Sequence, residues 1–383
     1  MHSWDFQSPG LLAFGEGKAA CIGSLVKSRI SGKILLITGP VLLRTGAVEP
    51  VLRSLREAGV PFALHAETSG EPTSRHAEDA LALFRREDCT ALVACGGGGP
   101  MDLAKAVSLL HANGGSPADY ARKGASPKAG PPVFALPTTA GSGSEVSGNT
   151  VIIDAATQEK LLIGSPALVP VAAILDPLLT RSMPPSLTAA TGMDALTHAI
   201  EAYTANCAEP ISDAVALYAI ELIYPNLRKA VENGNDLAAR SAMLMGSMLA
   251  GIAFSHSDVA SVHCLAESLG GLRDLHHGVC NAVLLPHVMR YNVDFCRERY
   301  ARIARAMGLS FADEAAGAEA AVRAVEQLAM DVRLPAFRTL GVPEADLETI
   351  AEMSAKNIST ASNPRPMEKA DYLHVLEMAM ADQ

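Results

Sequence analysis

The feature that most constrains this chain is a run of short, continuous apolar segments in its first half, each ending at Gly or Pro and each followed by an amphipathic stretch. Lys33–Thr38 ends at Gly39-Pro40, Pro61–His65 follows a helical stretch over Val51–Gly59, and Thr90–Cys95 runs into four glycines. Ser74–Arg86 has helical spacing, with Ala80, Leu81 and Phe84 on one face, and Met101–His111 is a further helix. Strands that are apolar throughout, rather than alternating, belong to sheets covered on both faces, and β-α-β-α order makes such sheets parallel. Pro132–Leu136, Thr150–Asp154 and Val171–Leu175 read as further strands.

Beyond Pro185 the texture changes. Apolar residues recur at helical spacing and strand patterns disappear. Leu187–Thr204, Ile211–Val231, Asp236–Phe254 and Val279–Tyr291 read as long helices. The expected class is therefore α/β. An N-terminal parallel-sheet domain over 1–182 is followed by an all-helical domain over 183–383, with the boundary near Ser182–Pro185 where prolines precede a helix start. A chain of 383 residues is long enough for two cores. The cluster Gly124–Pro132 reads as a surface loop.

Charge narrows the partners. The net charge is -10 and Lys and Arg are scattered, which argues against a nucleic-acid surface. No apolar run reaches the roughly 18 residues that a membrane span needs. Met1–Gly10 lacks the basic start and apolar stretch of a signal peptide. The seven cysteines include no C-x-x-C pair and read as reduced, mostly buried thiols, so the expected location is cytoplasmic.

Two loops carry ligand chemistry. Gly96-Gly97-Gly98-Gly99, followed by Asp102, lies between a strand and a helix, where bare backbone and unpaired N–H groups suit a pyrophosphate. It is not the G-x-G-x-x-G fingerprint, because Met101 stands at the third glycine. Thr138, Thr139, Ser142 and Ser144, in the loop from Pro137 to Glu145, follow another strand and offer hydroxyls to phosphates and ribose.

Asp194 and His198, four apart on a helix, share one face. His263 is read as closing a later helix, and His277 as standing beside Gly278 at the start of the next. An Asp and three neutral imidazoles suit Fe²⁺ or Zn²⁺ with a position left open for substrate. Spacing alone leaves the metal and the purely structural readings both open. His2, His65, His76, His111, His287 and His374 are read as ordinary histidines, and His256 is ambiguous.

These segments resemble the iron-containing (group III) alcohol dehydrogenases across nearly the whole chain. The resemblance rests on GGGGPMDLAK at Gly96–Lys105, LPTTAGSGSE at Leu136–Glu145 and DPLL at Asp176–Leu179. It continues through ATGMDALTHAIEAY at Ala190–Tyr203, HHGVCNAVLLPHV at His276–Val288 and NPRP at Asn363–Pro366. It implies metal ligation by Asp194, His198, His263 and His277, a phosphate loop at Gly96–Asp102 and a second nucleotide loop at Thr138–Ser144. It also implies an active site in the cleft between the domains, and a homodimer or larger assembly. The implied activity is hydride transfer between a small alcohol or aldehyde and NAD or NADP, with the substrate pocket near Asn149 and Phe254. Three positions depart from the family pattern. Glu267 stands where many members carry a second His, and a proton-relay role is expected of it. His276 replaces a Pro. Gly39 stands where NAD-preferring members often have Asp, so acceptance of NADP is expected, with Arg44 within reach of its phosphate. A dehydroquinate synthase-like lyase and a non-catalytic nucleotide-binding protein are the alternatives on the same architecture. The first would need more Lys and Arg near the metal than Arg273 and Arg290.

Overall fold

The computed structural model describes residues 4–68, 70–121 and 126–381, so Gly124 and Ala125 of the expected loop, and Met1–Ser3 with His2, lie outside the described residues. The chain divides into two compact units, Gln7–Met183 and Pro184–Gln383, and the residues through Phe6 group with the second. There Phe6 stacks on His256, with ring centroids 4.2 Å apart.

Among the described residues the first unit contains eight strands: β1 (Leu12–Phe14), β2 (Lys33–Thr38), β3 (Phe62–His65), β4 (Cys89–Gly96), β5 (Val133–Pro137), β6 (Asn149–Ile153), β7 (Lys160–Gly164) and β8 (Ala172–Leu175). Six form one sheet in the order β1-β8-β5-β4-β2-β3, with every neighbouring pair parallel. Its helices are α1 (Ile22–Arg29), α2 (Pro40–Thr45), α3 (Glu49–Glu57), α4 (Ser74–Arg86), α5 (Gly98–Asn113) and α6 (Pro117–Tyr120). Side chains alternate across the sheet. Ile34, Leu36, Val93, Cys95 and Leu136 pack with Ile22 and Val26 of α1 and Val51 and Leu55 of α3. Leu35, Ile37, Leu92, Ala94 and Ala135 pack on the other face with Ala80 and Phe84 of α4 and Met101 and Val107 of α5. Both faces are covered, which is why the strands are apolar throughout.

Three local expectations are corrected. β1 and β7 carry no long apolar run and were not anticipated, so the Lys33–Thr38 strand is second in the chain, not first. β6 leaves the parallel sheet and pairs antiparallel with β7. α5 begins at Gly98, inside the glycine run, rather than at Met101.

The second unit is helical: α7 (Pro185–Thr204), α8 (Pro210–Glu232), α9 (Leu237–Ser257), α10 (Ser261–Arg273), α11 (His277–Asn292), α12 (Arg297–Ala306), α13 (Glu314–Asp331), α14 (Leu347–Lys356) and α15 (Lys369–Ala381). His263 therefore sits in the first turn of α10 and does not close a helix. α9 also corrects the statement about apolar runs. It is long enough and apolar enough to cross a membrane, with a mean hydropathy of 1.5 over an 18-residue window. Most of that window is buried within the unit, where α9 packs on α7 and α8, as a core helix does.

Candidate metal centre and nucleotide-binding loops

α7 presents Asp194, His198 and Glu201 at intervals of four and three residues, hence on one face. The N-terminal ends of α10 and α11 bring His263 and His277 to that face. Gly278 makes the approach of α11 possible, since a Cβ there would lie 2.6 Å from the carbonyl oxygen of Ala190 on α7. The nearest set of donor atoms belongs to Asp194, His263 and His277, one atom from each, all within 4.8 Å of one another. Asp194 Oδ1 lies 3.9 Å from His263 Nε2 and 3.7 Å from His277 Nε2. His198 adjoins this trio as a ring stacked between His263 and Phe254, with centroid separations of 4.5 and 4.6 Å.

Two residues not singled out in the sequence complete the cluster. Asn281, one turn beyond His277, directs its amide nitrogen at Asp194 Oδ1 (2.7 Å), His263 Nε2 (3.0 Å) and His277 Nε2 (3.1 Å). Glu201 Oε2 lies 2.5 Å from His263 Nδ1, and its Oε1 accepts from the Val262 amide at 2.7 Å. Glu201 thereby satisfies an N–H at the start of α10 and orients the imidazole at once. The i, i+4, i+7 spacing of Asp194, His198 and Glu201 was the available signal, as was the i, i+4 spacing of His277 and Asn281.

Burial sets the protonation. Asp194, His198 and His263 are all nearly inaccessible. Desolvation pushes His263 down to about 4, against the pull of Asp194, so its imidazole is neutral. Burial pushes Glu201 up to about 7, opposed by the backbone N–H groups of α10. Burial would also raise the Asp194 carboxyl, but the imidazoles of His198, His277 and His263 and the Asn281 amide together hold it below its ordinary value. With Asn281 donating to Nε2, the His263 proton resides on Nδ1 and faces Glu201. One carboxylate oxygen and two imidazole nitrogens thus lie close together, and this donor set fits a divalent ion of the Fe²⁺ or Zn²⁺ kind.

In the sheet unit, Gly39, Gly96 and Thr138 follow one another along the carboxyl edge of β2, β4 and β5, where Thr38 is in register with Cys95 and Gly96 with Pro137. β2 and β4 are the neighbours at which the chain order reverses, the position where such sheets bind ligands. The two loops touch. A Cβ on Gly97 would lie 3.2 Å from the Thr139 side chain, one on Gly98 3.2 Å from Ser142 Cβ, and one on Gly99 2.2 Å from the Gly70 carbonyl oxygen. Gly97 caps the 16-residue α5 with no side chain in the way, leaving its first N–H groups available to an anion.

Asp102 and Ser144 face inward instead. Ser144 Oγ donates to Asp102 Oδ1 at 2.7 Å, and the Val151 amide donates to Asp102 Oδ2 at 3.1 Å. Lys105 Nζ, fully buried, donates to Ser144 Oγ (2.9 Å), the Ser147 carbonyl (3.0 Å) and the Asn149 carbonyl (2.8 Å). These residues tie the second loop to α5. Glu267, one turn beyond His263, accepts from Asn357 Nδ2 at 2.6 Å.

Comparison with known proteins identifies the family. Residues 9–177 match the model for iron-containing alcohol dehydrogenase, and residues 188–380 match that for the C-terminal part of the Fe-containing alcohol dehydrogenase family. The chain is 41% identical to a 1,3-propanediol dehydrogenase of Klebsiella pneumoniae over 98% of both chains. It is 38% identical to an NAD-dependent methanol dehydrogenase of Bacillus methanolicus, over 98% of this chain and 100% of that one. The crystal structure of a 1,3-propanediol oxidoreductase superposes with a TM-score of 0.96 at 40% identity, covering 99% of this chain and 100% of that one. A sulfoacetaldehyde reductase from Bifidobacterium kashiwanohense in complex with NAD+ superposes with a TM-score of 0.90 at 28% identity, covering 100% of each. Both units match in order and over their length, so the chain belongs to the iron-containing alcohol dehydrogenase family.

Proposed function

We propose that this protein is an oxidoreductase that interconverts a small primary alcohol and its aldehyde with NAD or NADP, using a divalent Fe or Zn ion held by Asp194, His198, His263 and His277. The observation that carries this reading is the convergence of Asp194, His263 and His277, one donor atom from each lying within 4.8 Å of the others. A bound divalent ion supplies Lewis acidity, favouring loss of an alcohol's hydroxyl proton or polarising a carbonyl. The chain's residues hold His263 neutral through burial and fix its ring through Glu201. Gly96–Gly99, with Thr138, Thr139 and Ser142, receive the nucleotide's phosphates, and Asp102 and Ser144 brace that cradle from within. Glu267 is the proton-relay candidate, being the carboxylate one turn from His263.

The sheet unit is thus read as the nucleotide-binding domain and the helical unit as the metal and substrate domain. The lyase and non-catalytic alternatives fit the relatives less well, since those named are dehydrogenases and reductases. Cytoplasmic residence is supported by seven cysteines that form no disulfide. A homodimer or larger assembly is supported by the family resemblance alone. The decisive assay follows NAD(P)H turnover with a panel of alcohols and aldehydes, with and without added Fe²⁺ or Zn²⁺. Metal-dependent turnover is expected, lost in His263→Ala and His277→Ala together with bound metal. Full metal content and turnover in either variant would refute the ligand assignment.

A further inference from the structure

Asn281 is fully buried, and every contact of its amide nitrogen is with an atom assigned above to the metal. Each imidazole Nε2 has a single lone pair. That lone pair serves either an N–H donor or a metal ion, not both, so where the Asn281 amide, with two N–H bonds shared among three acceptors, donates to an imidazole, it excludes an ion from that lone pair. The spacing agrees. Atoms ~2.1 Å from a tetrahedral ion lie about 3.4 Å apart. Asp194 Oδ1 is 3.9 and 3.7 Å from the two Nε2 atoms, a few tenths of an ångström more than that. At the other end of the amide, Asn281 Oδ1 is buried with no hydrogen-bond partner among the described residues. Among the described residues the group is therefore held only by the three acceptors, and no bond of its carbonyl opposes its withdrawal.

We propose that Asn281 is the metal's placeholder. Its amide holds Asp194, His263 and His277 together in the metal-free protein, and its withdrawal is the step that admits the ion. This rests on the metal reading given above. Asn281 is a positioning residue in this role, acting through the three side chains it bridges.

Interactions made only in the metal-free state oppose metal binding by linkage. The test compares wild type, Asn281→Ala and Asn281→Leu, the last keeping the volume while removing the donor. For each, the Tm is measured after chelator stripping and after loading with Zn²⁺, and the Kd for Zn²⁺ is measured by competition with a chromophoric chelator. The expected result is a lower Tm for the stripped variants with a smaller change in the loaded ones. The rise in Tm on loading then grows, and Zn²⁺ binds about tenfold more tightly, as loss of competing hydrogen bonds of ordinary strength implies. An equal fall in both states would make Asn281 a packing residue, and weaker binding would make it a support of the loaded site; either result overturns the placeholder. A wild type that takes up no Zn²⁺ overturns the metal reading itself, and the placeholder with it.

Discussion

Glu201 on α7 grips His263 on α10 through a 2.5 Å contact between Oε2 and Nδ1, while its other oxygen accepts the Val262 amide. One carboxylate thus sets the tautomer of a proposed ligand and caps the helix that carries it. Partners of this kind commonly tune metal affinity by 10- to 100-fold, so Glu201→Gln is expected to weaken metal retention by roughly that factor. Elemental analysis after dialysis against graded chelator measures it. Unaltered retention would leave Glu201 with its capping role only.

Cofactor choice turns on Gly39. Its backbone is extended (φ -90, ψ 151), and among the described residues an added Cβ meets only the Thr68 carbonyl oxygen at 3.9 Å, so Asp fits there without backbone strain. An Asp would accept from ribose hydroxyls and repel a 2′-phosphate, an effect on the order of 1–3 kcal/mol. The wild type is expected to use NADP(H) at least comparably with NAD(H), and Gly39→Asp to shift kcat/KM toward NAD(H) by ten- to a hundredfold, taking ~1.4 kcal/mol per factor of ten. Strong discrimination against NADP(H) by the wild type would locate the exclusion elsewhere.

Glu267 presents a carboxylate whose neighbour is Asn357. If it passes a proton, Glu267→Gln is expected to depress alcohol oxidation most at low pH and to recover partly with added small bases. A pH–rate profile superposable on wild type would confine Glu267 to its contact with Asn357.

Glu145 gives stability a pH signature. Burial raises its carboxyl from the ordinary 4.5 to about 7. Between those values the native protein holds a proton that the unfolded chain has released, so stability falls as pH rises through that window. Lys105 behaves oppositely. Burial lowers it from 10.5 to about 8, and the native state gives up its proton first, so stability recovers between pH 8 and 10.5. Glu145→Gln is therefore expected to gain on wild type from pH 4.5 to 7, by about 2–3 kcal/mol at the top of the window. Thermal melts across pH 4.5–8 check this, and a constant difference between the two proteins would show that Glu145 does not titrate there.

Much of this architecture was legible in the chain order of residues. β2, β4 and β5 are apolar because both faces of the sheet are covered, and that continuity is visible without coordinates. Asp194 and His198 share a face by helical spacing alone, and the glycine run before Met101 announces a close approach of backbone. These are local properties, set within one element by its period. β1 and β7 were not legible, because three- and five-residue strands of mixed polarity owe their conformation to the neighbours they pair with. The partners of the site were hidden for the same reason. Glu201 meets His263 across 62 positions and Asn281 meets Asp194 across 87, distances closed only when α7, α10 and α11 pack. Lys105 likewise carries no local mark of its bonds to Ser144 and Asn149. Residue types and periods determine which side chains a helix or loop offers, whereas burial and long-range packing decide which lone pairs face one another, and hence which protons they hold.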